Sequence, residues 1–383
     1  MTNTEKSKKG VLLLAAGIKG AIGSTVAAAA AIMQTRPETV LPYLTTRDKF
    51  PFLGKAGQMA VAGWDTDSAS FDRALDRCGV LEKSLWEPCI PELNKIDVRP
   101  APDAGMGVKE QVAQVKADMA AFQNQHPGLV PVFANLLPAG VCHDLHGFST
   151  LEQLYEKGAR VPADIVYAAA AVESGIAVVN FTPNDLEIPA LVSAAVAAGV
   201  PLAGKDGKTG QTYFKVVLAS SLLARRLHVN GWYSLNILGN ADGENLMDPQ
   251  HAACKLDNKT GVLEEVLGYA PGEKRHNTSA HKVHIDYYPP RGDAKEAWDV
   301  IDFEGIFGMP MSMRINLQGR DSILAAPMVM DLARWMAALT LAGRSGPVPE
   351  LAFFFKKPVG QNGPVGFEKQ MAALEKLEKE ICP

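Results

Sequence analysis

The stretch that most constrains the fold is near the start. A short apolar run, Val11-Leu-Leu-Leu-Ala15, passes directly into Gly17-Ile-Lys19-Gly20-Ala21-Ile22-Gly23-Ser24, and then into a helix-like segment, Thr25 to Gln34. Strand, glycine turn and helix in that order is the arrangement used to hold a dinucleotide. The glycines let the backbone approach a pyrophosphate, and the helix start supplies N–H donors and a partial positive charge. The spacing is GxxGxxG and not GxGxxG, so a tight strand–helix turn with no ligand is the competing reading. Val61-Ala-Gly-Trp-Asp65 reads as a second strand end, where an acidic residue can take ribose hydroxyls. Asp65 lies further from the glycines than usual and Asp48 is also available, so a solvated loop aspartate competes.

The pattern continues as alternating short apolar runs and helices. Lys109 to Asn124 carries Val112, Val115, Met119 and Phe122 on one stripe. Leu129 to Ala134 is a buried strand ending at Asn135, and Ile176 to Val179 is another ending at Asn180. Helices are expected at Pro162 to Ser174, at Ile188 to Ala198, and after Ser149-Thr-Leu-Glu152, which reads as a capping box. This is a doubly wound α/β pattern. After Leu202 the rhythm changes. Tyr213 to Leu227 reads as a helix and Trp232 to Leu238 as a strand. Lys282 to Tyr288 alternates like a strand of an antiparallel sheet, and Ile306 to Leu317 also looks extended. Ser322 to Ala342 is an apolar helix able to pack back on the first domain, and Glu368 to Glu380 is a charged helix.

Bulk properties bound the function. A chain of 383 residues, 47% apolar and 21% charged, suits a globular protein of two or three domains. The net charge of −4 offers no basic field for nucleic acid. The five cysteines form no CxxC, which points to a reduced, cytoplasmic setting. Val11 to Met33 mimics a secretion signal, but Lys19 and three regularly placed glycines interrupt it, and no membrane-spanning segment is expected.

Polar chemistry concentrates between Leu202 and Pro249. Lys205, Lys208, Gly207 and Gly210 suit an anion, and Asp206 and Asp242 then need a partner. Two polar surface turns are the bland alternative. Beyond this stretch, Lys255 and Lys259 lie four apart, Lys295 follows Asp293 in a glycine-containing turn, Asp321–Ser322 precede the buried helix, and Lys356 ends an aromatic run. A single lysine taken blind is usually a solvated one. His143–His146 and His281–His284 are close pairs without ordered metal-ligand spacing, so satisfied or solvated histidines are preferred.

Taken together, Gly17 to Ser24, Gly63-Trp-Asp65, Ala134-Asn135, Gly204-Lys-Asp-Gly-Lys-Thr-Gly-Gln-Thr212, Asn236-Ile-Leu-Gly-Asn-Ala-Asp-Gly243, Gly292-Asp-Ala-Lys295, Asp321-Ser322 and Lys356-Lys-Pro358 resemble the inositol-3-phosphate synthase family in order and spacing. The length is similar to that of prokaryotic members. The resemblance implies an α/β chain with a Rossmann-type NAD-binding domain and an inserted α+β domain for catalysis and oligomerisation. Its expected parts are 1–199, 200–315 and a return over 316–383. It implies NAD-dependent conversion of glucose 6-phosphate to inositol 3-phosphate, feeding inositol and phospholipid biosynthesis. The family's chemistry is oxidation at C5, proton loss at C6, aldol closure on C1 and reduction at C5. Developing oxyanions in a dry site explain a need for several lysines.

By the same resemblance, Lys255, Lys295 and Lys356 are catalytic, with Asp206 near substrate and nicotinamide. Lys259 holds the phosphate with Thr209, Gly210 and Gln211, in a substrate set that includes Lys208 and Thr212. Asn236, Leu238 and Asn240 line the sugar site. NAD contacts fall on Gly17, Lys19, Gly20, Ala21, Ile22, Gly23, Ser24, Asp65, Asn135, Asn180, Thr182, Asp242, Asp293, Asp321 and Ser322. A divalent or monovalent cation is expected near Asp242, Asp321 and Ser322, and the family assembles as dimers or tetramers. The chain departs from the family pattern at Phe181-Thr182, at Ala241 and at Leu136-Leu137. A related cyclase or dehydrogenase acting on another sugar phosphate is the alternative enzyme. A dinucleotide-sensing protein without turnover is the non-enzymatic one.

Overall fold

The computed structural model describes residues 10–141, 143–156, 161–248, 261–273 and 278–382. Its first layer is a sheet of seven strands: β1 (Val11–Ala16), β2 (Met59–Asp65), β3 (Val98–Pro100), β4 (Val130–Asn135), β5 (Ala177–Asn180), β6 (Pro201–Ala203) and β11 (Gly346–Pro347). The order across it is β11-β6-β5-β4-β1-β2-β3, and every pairing is parallel. From β3 to β6 this is the 3-2-1-4-5-6 order of dinucleotide folds, with the reversal beside β1.

All six residues of β1 are buried, because helices cover both faces of the sheet. Leu13 and Ala15 face one core with helices Ala21–Thr35 and Asp321–Leu341. Leu12 and Leu14 face the other with helices Val108–Gln125, Ala163–Glu173 and Pro189–Ala198. Helix Asp321–Leu341 is long and apolar enough to cross a membrane, yet it is mostly buried in the protein. Asp331 and Arg334 sit in its buried centre. Asp331 accepts from the backbone N–H and hydroxyl of both Thr45 and Thr46, which ties the loop after the first helix to this core helix.

The second layer is a four-stranded sheet: β7 (His228–Leu238), β8 (His281–Tyr287), β9 (Ala294–Glu304) and β10 (Pro310–Arg320), in the order β10-β9-β7-β8. Helix Gln211–Ala224 packs beneath it through Val216 and Ala219, against Trp232 and Ile301. Two expectations are corrected here. β8 runs parallel to β7, not antiparallel. Its alternation records one-sided burial of an edge strand, which either direction produces. Lys295 lies within β9, not in a turn. The inward positions of β9 include Asp299, so its apolar period is broken and the strand escapes a hydrophobic pattern. The capping box also moves by one residue. Thr150 Oγ1 accepts from Gln153 N at 3.3 Å, and Gln153 Oε1 accepts from Ser149 N at 2.9 Å.

β6 belongs to the seven-stranded sheet although it follows residue 200, and β10 runs on to Arg320. The chain therefore leaves the first sheet after Ala203 and returns through the long helix at Asp321.

Candidate active site

The glycine turn lies at the C-terminal end of β1. Gly17 has φ +80°, and a Cβ there would stand 2.9 Å from Leu136 O. A Cβ on Gly23 would meet Gly17 O at 2.4 Å, so the helix start is pressed onto the turn. Gly20 caps the helix without a side chain, and Ser24 N is the first to bond four residues back, to Gly20 O at 2.8 Å. The N–H groups of Ala21, Ile22 and Gly23 are left facing the crevice end, which fits an anion such as a pyrophosphate. Asp65 ends β2 and holds the turn: its carboxylate accepts from Lys19 N at 2.7 Å and from Asp67 N at 2.9 Å.

Further along the same edge, Asn135 and Asn180 end β4 and β5 side by side. Asn135 Nδ2 donates to Asn180 Oδ1 at 3.2 Å, and Thr182 Oγ1 donates to the same oxygen at 2.8 Å. Behind them Asn184 Nδ2 donates to Asp164 Oδ2 at 2.6 Å, a support that sequence reasoning missed. Burial pushes the Asp164 carboxyl up to about 6, against hydrogen bonds from Asn184 and Asn135.

The loop 204–210 carries the lysine chemistry. It pairs with the 354–359 segment: Lys205 N donates to Lys357 O, Lys356 N to Asp206 O and Lys208 N to Phe354 O. Asp206 sits at φ +62° with Lys356 Nζ 2.5 Å from Oδ1, and the two side chains are 5% and 9% exposed. At the far end of the loop, Thr209 Oγ1 donates to Asp321 Oδ1 at 3.1 Å, and Lys295 Nζ reaches Asp321 Oδ2 at 2.9 Å. One short loop thus joins two lysine–carboxylate pairs, Lys356–Asp206 and Lys295–Asp321. Lys205, Lys208, Lys356 and Lys357 line a cavity of about 720 Å³ bounded on the other side by Val216, Val262 and Glu265. Lys205 is itself paired with Asp185 at 2.9 Å.

Other expected residues take different places. Lys208 is buried and donates to Gln370 Oε1 at 2.7 Å and Ala352 O at 3.0 Å, so burial lowers it to about 7. The side chain of Gln211 turns away from the loop and donates to Asp299 Oδ2 at 2.8 Å. Asp299 also accepts from Trp232 Nε1 and Ser234 Oγ. Lys215, one helical turn on from Gln211, points the same way and lies 2.9 Å from His281 Nε2. Its burial lowers it to about 8, opposed by Asp299. The signal for this cluster is a lysine and a glutamine four apart on an otherwise apolar helix. Thr212, Asn236 and Leu238 are all buried, and Asn236 Oδ1 has no partner among the described residues.

Asp293 joins the two domains. Asn240 Nδ2 and Ser322 Oγ both donate to its Oδ1, at 3.2 and 3.1 Å, while its buried Oδ2 has no partner among the described residues. Burial raises its pKa, opposed by those two bonds. The residues expected near a cation have these partners and places. Asp321 faces Lys295 and Thr209, Ser322 faces Asp293, and Asp242 stands in the first turn of helix Ala241–Asn245. Among the described residues no three His, Cys, Asp or Glu side chains are placed to hold a metal. Lys255 and Lys259 lie outside the described residues.

Residues 210–322 match the family model described as myo-inositol-1-phosphate synthase. The chain is 42% identical to inositol-3-phosphate synthase 1 of Bacteroides thetaiotaomicron over 200 residues, 52% of this chain and 47% of that protein. Its fold is similar to the inositol-3-phosphate synthase of Caenorhabditis elegans, with a TM-score of 0.83, 22% identity, and coverage of 98% of this chain and 86% of that one. It is also similar to a myo-inositol-1-phosphate synthase-related protein of Thermotoga maritima, with a TM-score of 0.79, 20% identity, and coverage of 97% and 98%. The chain spans about half the length of the curated relatives it matches. The chain is thus similar to the inositol-3-phosphate synthases in sequence over residues 210–322 and in fold along nearly its whole length.

Proposed function

We propose that this protein converts glucose 6-phosphate to inositol 3-phosphate with NAD. The observation that carries the reading is the pair of lysine–carboxylate contacts, Lys356–Asp206 and Lys295–Asp321, joined by one loop beside the dinucleotide-type crevice. Bound NAD supplies a reversible hydride acceptor. The chain's residues hold the sugar and manage its charge. Lys356, fixed by Asp206 in a nearly dry setting, presents N–H donors to an oxygen that gains charge during reaction. Lys295, fixed by Asp321, does the same from the second sheet and can pass a proton at Nζ. The backbone at Thr209 and Gly210 suits a phosphate at the start of helix Gln211–Ala224. The glycine turn, Asp65, Asn135, Asn180 and Thr182 form the NAD side. Lys255 and Lys259 complete the lysine set by resemblance.

A homo-oligomer is part of this proposal. Tyr233 and Trp298 are exposed on the outer face of the second sheet, and Phe307 and Met309 on the β9–β10 connection, which together suit contact with a second copy. A cytoplasmic setting is supported by the unbridged Cys78, Cys89 and Cys382. The test is phosphorus NMR of purified protein incubated with NAD and glucose 6-phosphate. An inositol phosphate resonance without net NADH is expected. Net NADH with an oxidised sugar phosphate would instead show a dehydrogenase, and no turnover would overturn the enzymatic reading.

A further inference from the structure

The turn around Asp65 also decides which dinucleotide it admits, and this inference rests on reading the glycine turn as an NAD site. Asp65 ends β2, where dinucleotide folds place the adenosine ribose. Its two oxygens are engaged by Lys19 N and Asp67 N. Two cations share the same turn. Lys19 Nζ donates to the Asp67 carbonyl at 2.8 Å. Arg77 donates through Nη1 to the Asp67 carboxylate and through Nη2 to Lys19 O at 3.1 Å. Asp67 Oδ1 takes Ala69 N at 2.8 Å, which fixes the carboxylate in place.

A 2′-phosphate brings about −1.5 to −2 charges, and folds that accept one use an arginine near the end of the second strand. This chain has that arginine, and a lysine beside it. Both are already bound to Asp67, and Asp65 adds a second carboxylate to the turn. A bare surface pair would leave the glycine turn untouched, but Arg77 also grips the Lys19 carbonyl and so stands against the turn itself. We propose that Asp67 is a specificity-determining residue that excludes the 2′-phosphorylated dinucleotide, its carboxylate holding Arg77 away from the 2′ position.

The experiment is calorimetric titration of the full chain with NAD and with NADP. The unsubstituted protein binds NAD and prefers it over NADP. Asp67→Asn frees Arg77 while keeping the backbone contacts, and the NADP-to-NAD affinity ratio rises roughly tenfold, the scale of one charge-assisted phosphate contact. The double variant D67N/R77A loses that gain. Measured NAD affinity shows in each case that the site is folded. NAD binding with no rise in the ratio for D67N, or a rise that survives R77A, overturns this proposal. A chain that binds neither dinucleotide overturns the reading of the glycine turn on which it stands.

Discussion

Lys208 offers a test that needs no substrate. It is buried with two neutral acceptors, Gln370 Oε1 and Ala352 O, and burial lowers it from 10.5 to about 7. In the folded chain Lys208 loses its proton near pH 7, and in the unfolded chain only near 10.5. Between those values the unfolded chain holds more protons, so folding stability rises with pH. Carrying that linkage from pH 7 to pH 9 gives a gain of about 2 kcal/mol from this one group. Lys208→Met abolishes the titration. It also loses two hydrogen bonds, but that loss does not depend on pH and drops out of the comparison. Urea unfolding of both proteins at pH 7, 8 and 9 should show the wild type gaining about 2 kcal/mol on the variant across the series. A flat difference would refute the reasoning, since it would mean that Lys208 keeps its proton in the folded chain throughout pH 7 to 9, whether hydrated or beside an anion.

Three further substitutions probe other parts of the site. Lys356→Met strips the cation from Asp206 and should destabilise the fold by roughly 3–5 kcal/mol in urea unfolding, with loss of product formation; unchanged stability would show the pair to be solvated. Gly23→Ala places a methyl 2.4 Å from Gly17 O, so the turn must open at a cost of about 1–3 kcal/mol, and NAD affinity by calorimetry should fall. Normal affinity would refute the close approach. Asp299→Asn leaves Lys215 without its nearby charge and weakens the bonds from Gln211, Trp232 and Ser234, with an expected loss of about 2 kcal/mol in thermal unfolding. An unaltered transition would show that this cluster does not hold the second sheet to its helix.

The first sheet is legible in the sequence because its strands are buried on both faces and its turns carry their own chemistry. Val11 to Ala16 is apolar at every position, and the glycines after it admit few backbones. The second sheet is harder to read. β9 buries Asp299 where a hydrophobic residue is expected, so its period fails although its register with β10 is unbroken from Ala294 to Glu304. Direction is invisible for β8, since alternation depends on which face is buried. Within the site, the motifs name Asp206, Lys295 and Lys356, and the structure pairs Lys356 with Asp206 and Lys295 with Asp321. The side-chain directions of Gln211 and Lys208 follow from helix phase and from burial behind the loop, which only the packed structure reveals.

The two chain crossings between the sheets are pinned to each other, the outgoing one at Thr209 and the returning one at Asp321, by the hydrogen bond between these side chains. Tilting of the second sheet about these crossings is one motion that two adjacent chain connections permit. Displacement grows with distance from a pivot, so the hairpin tip at Phe307 would sweep widely while Asp321 and its partner Lys295 barely move. Groups mounted at the axis keep their spacing through such a swing. A domain rotation would then open or narrow the crevice around the substrate while leaving the Lys295–Asp321 contact intact.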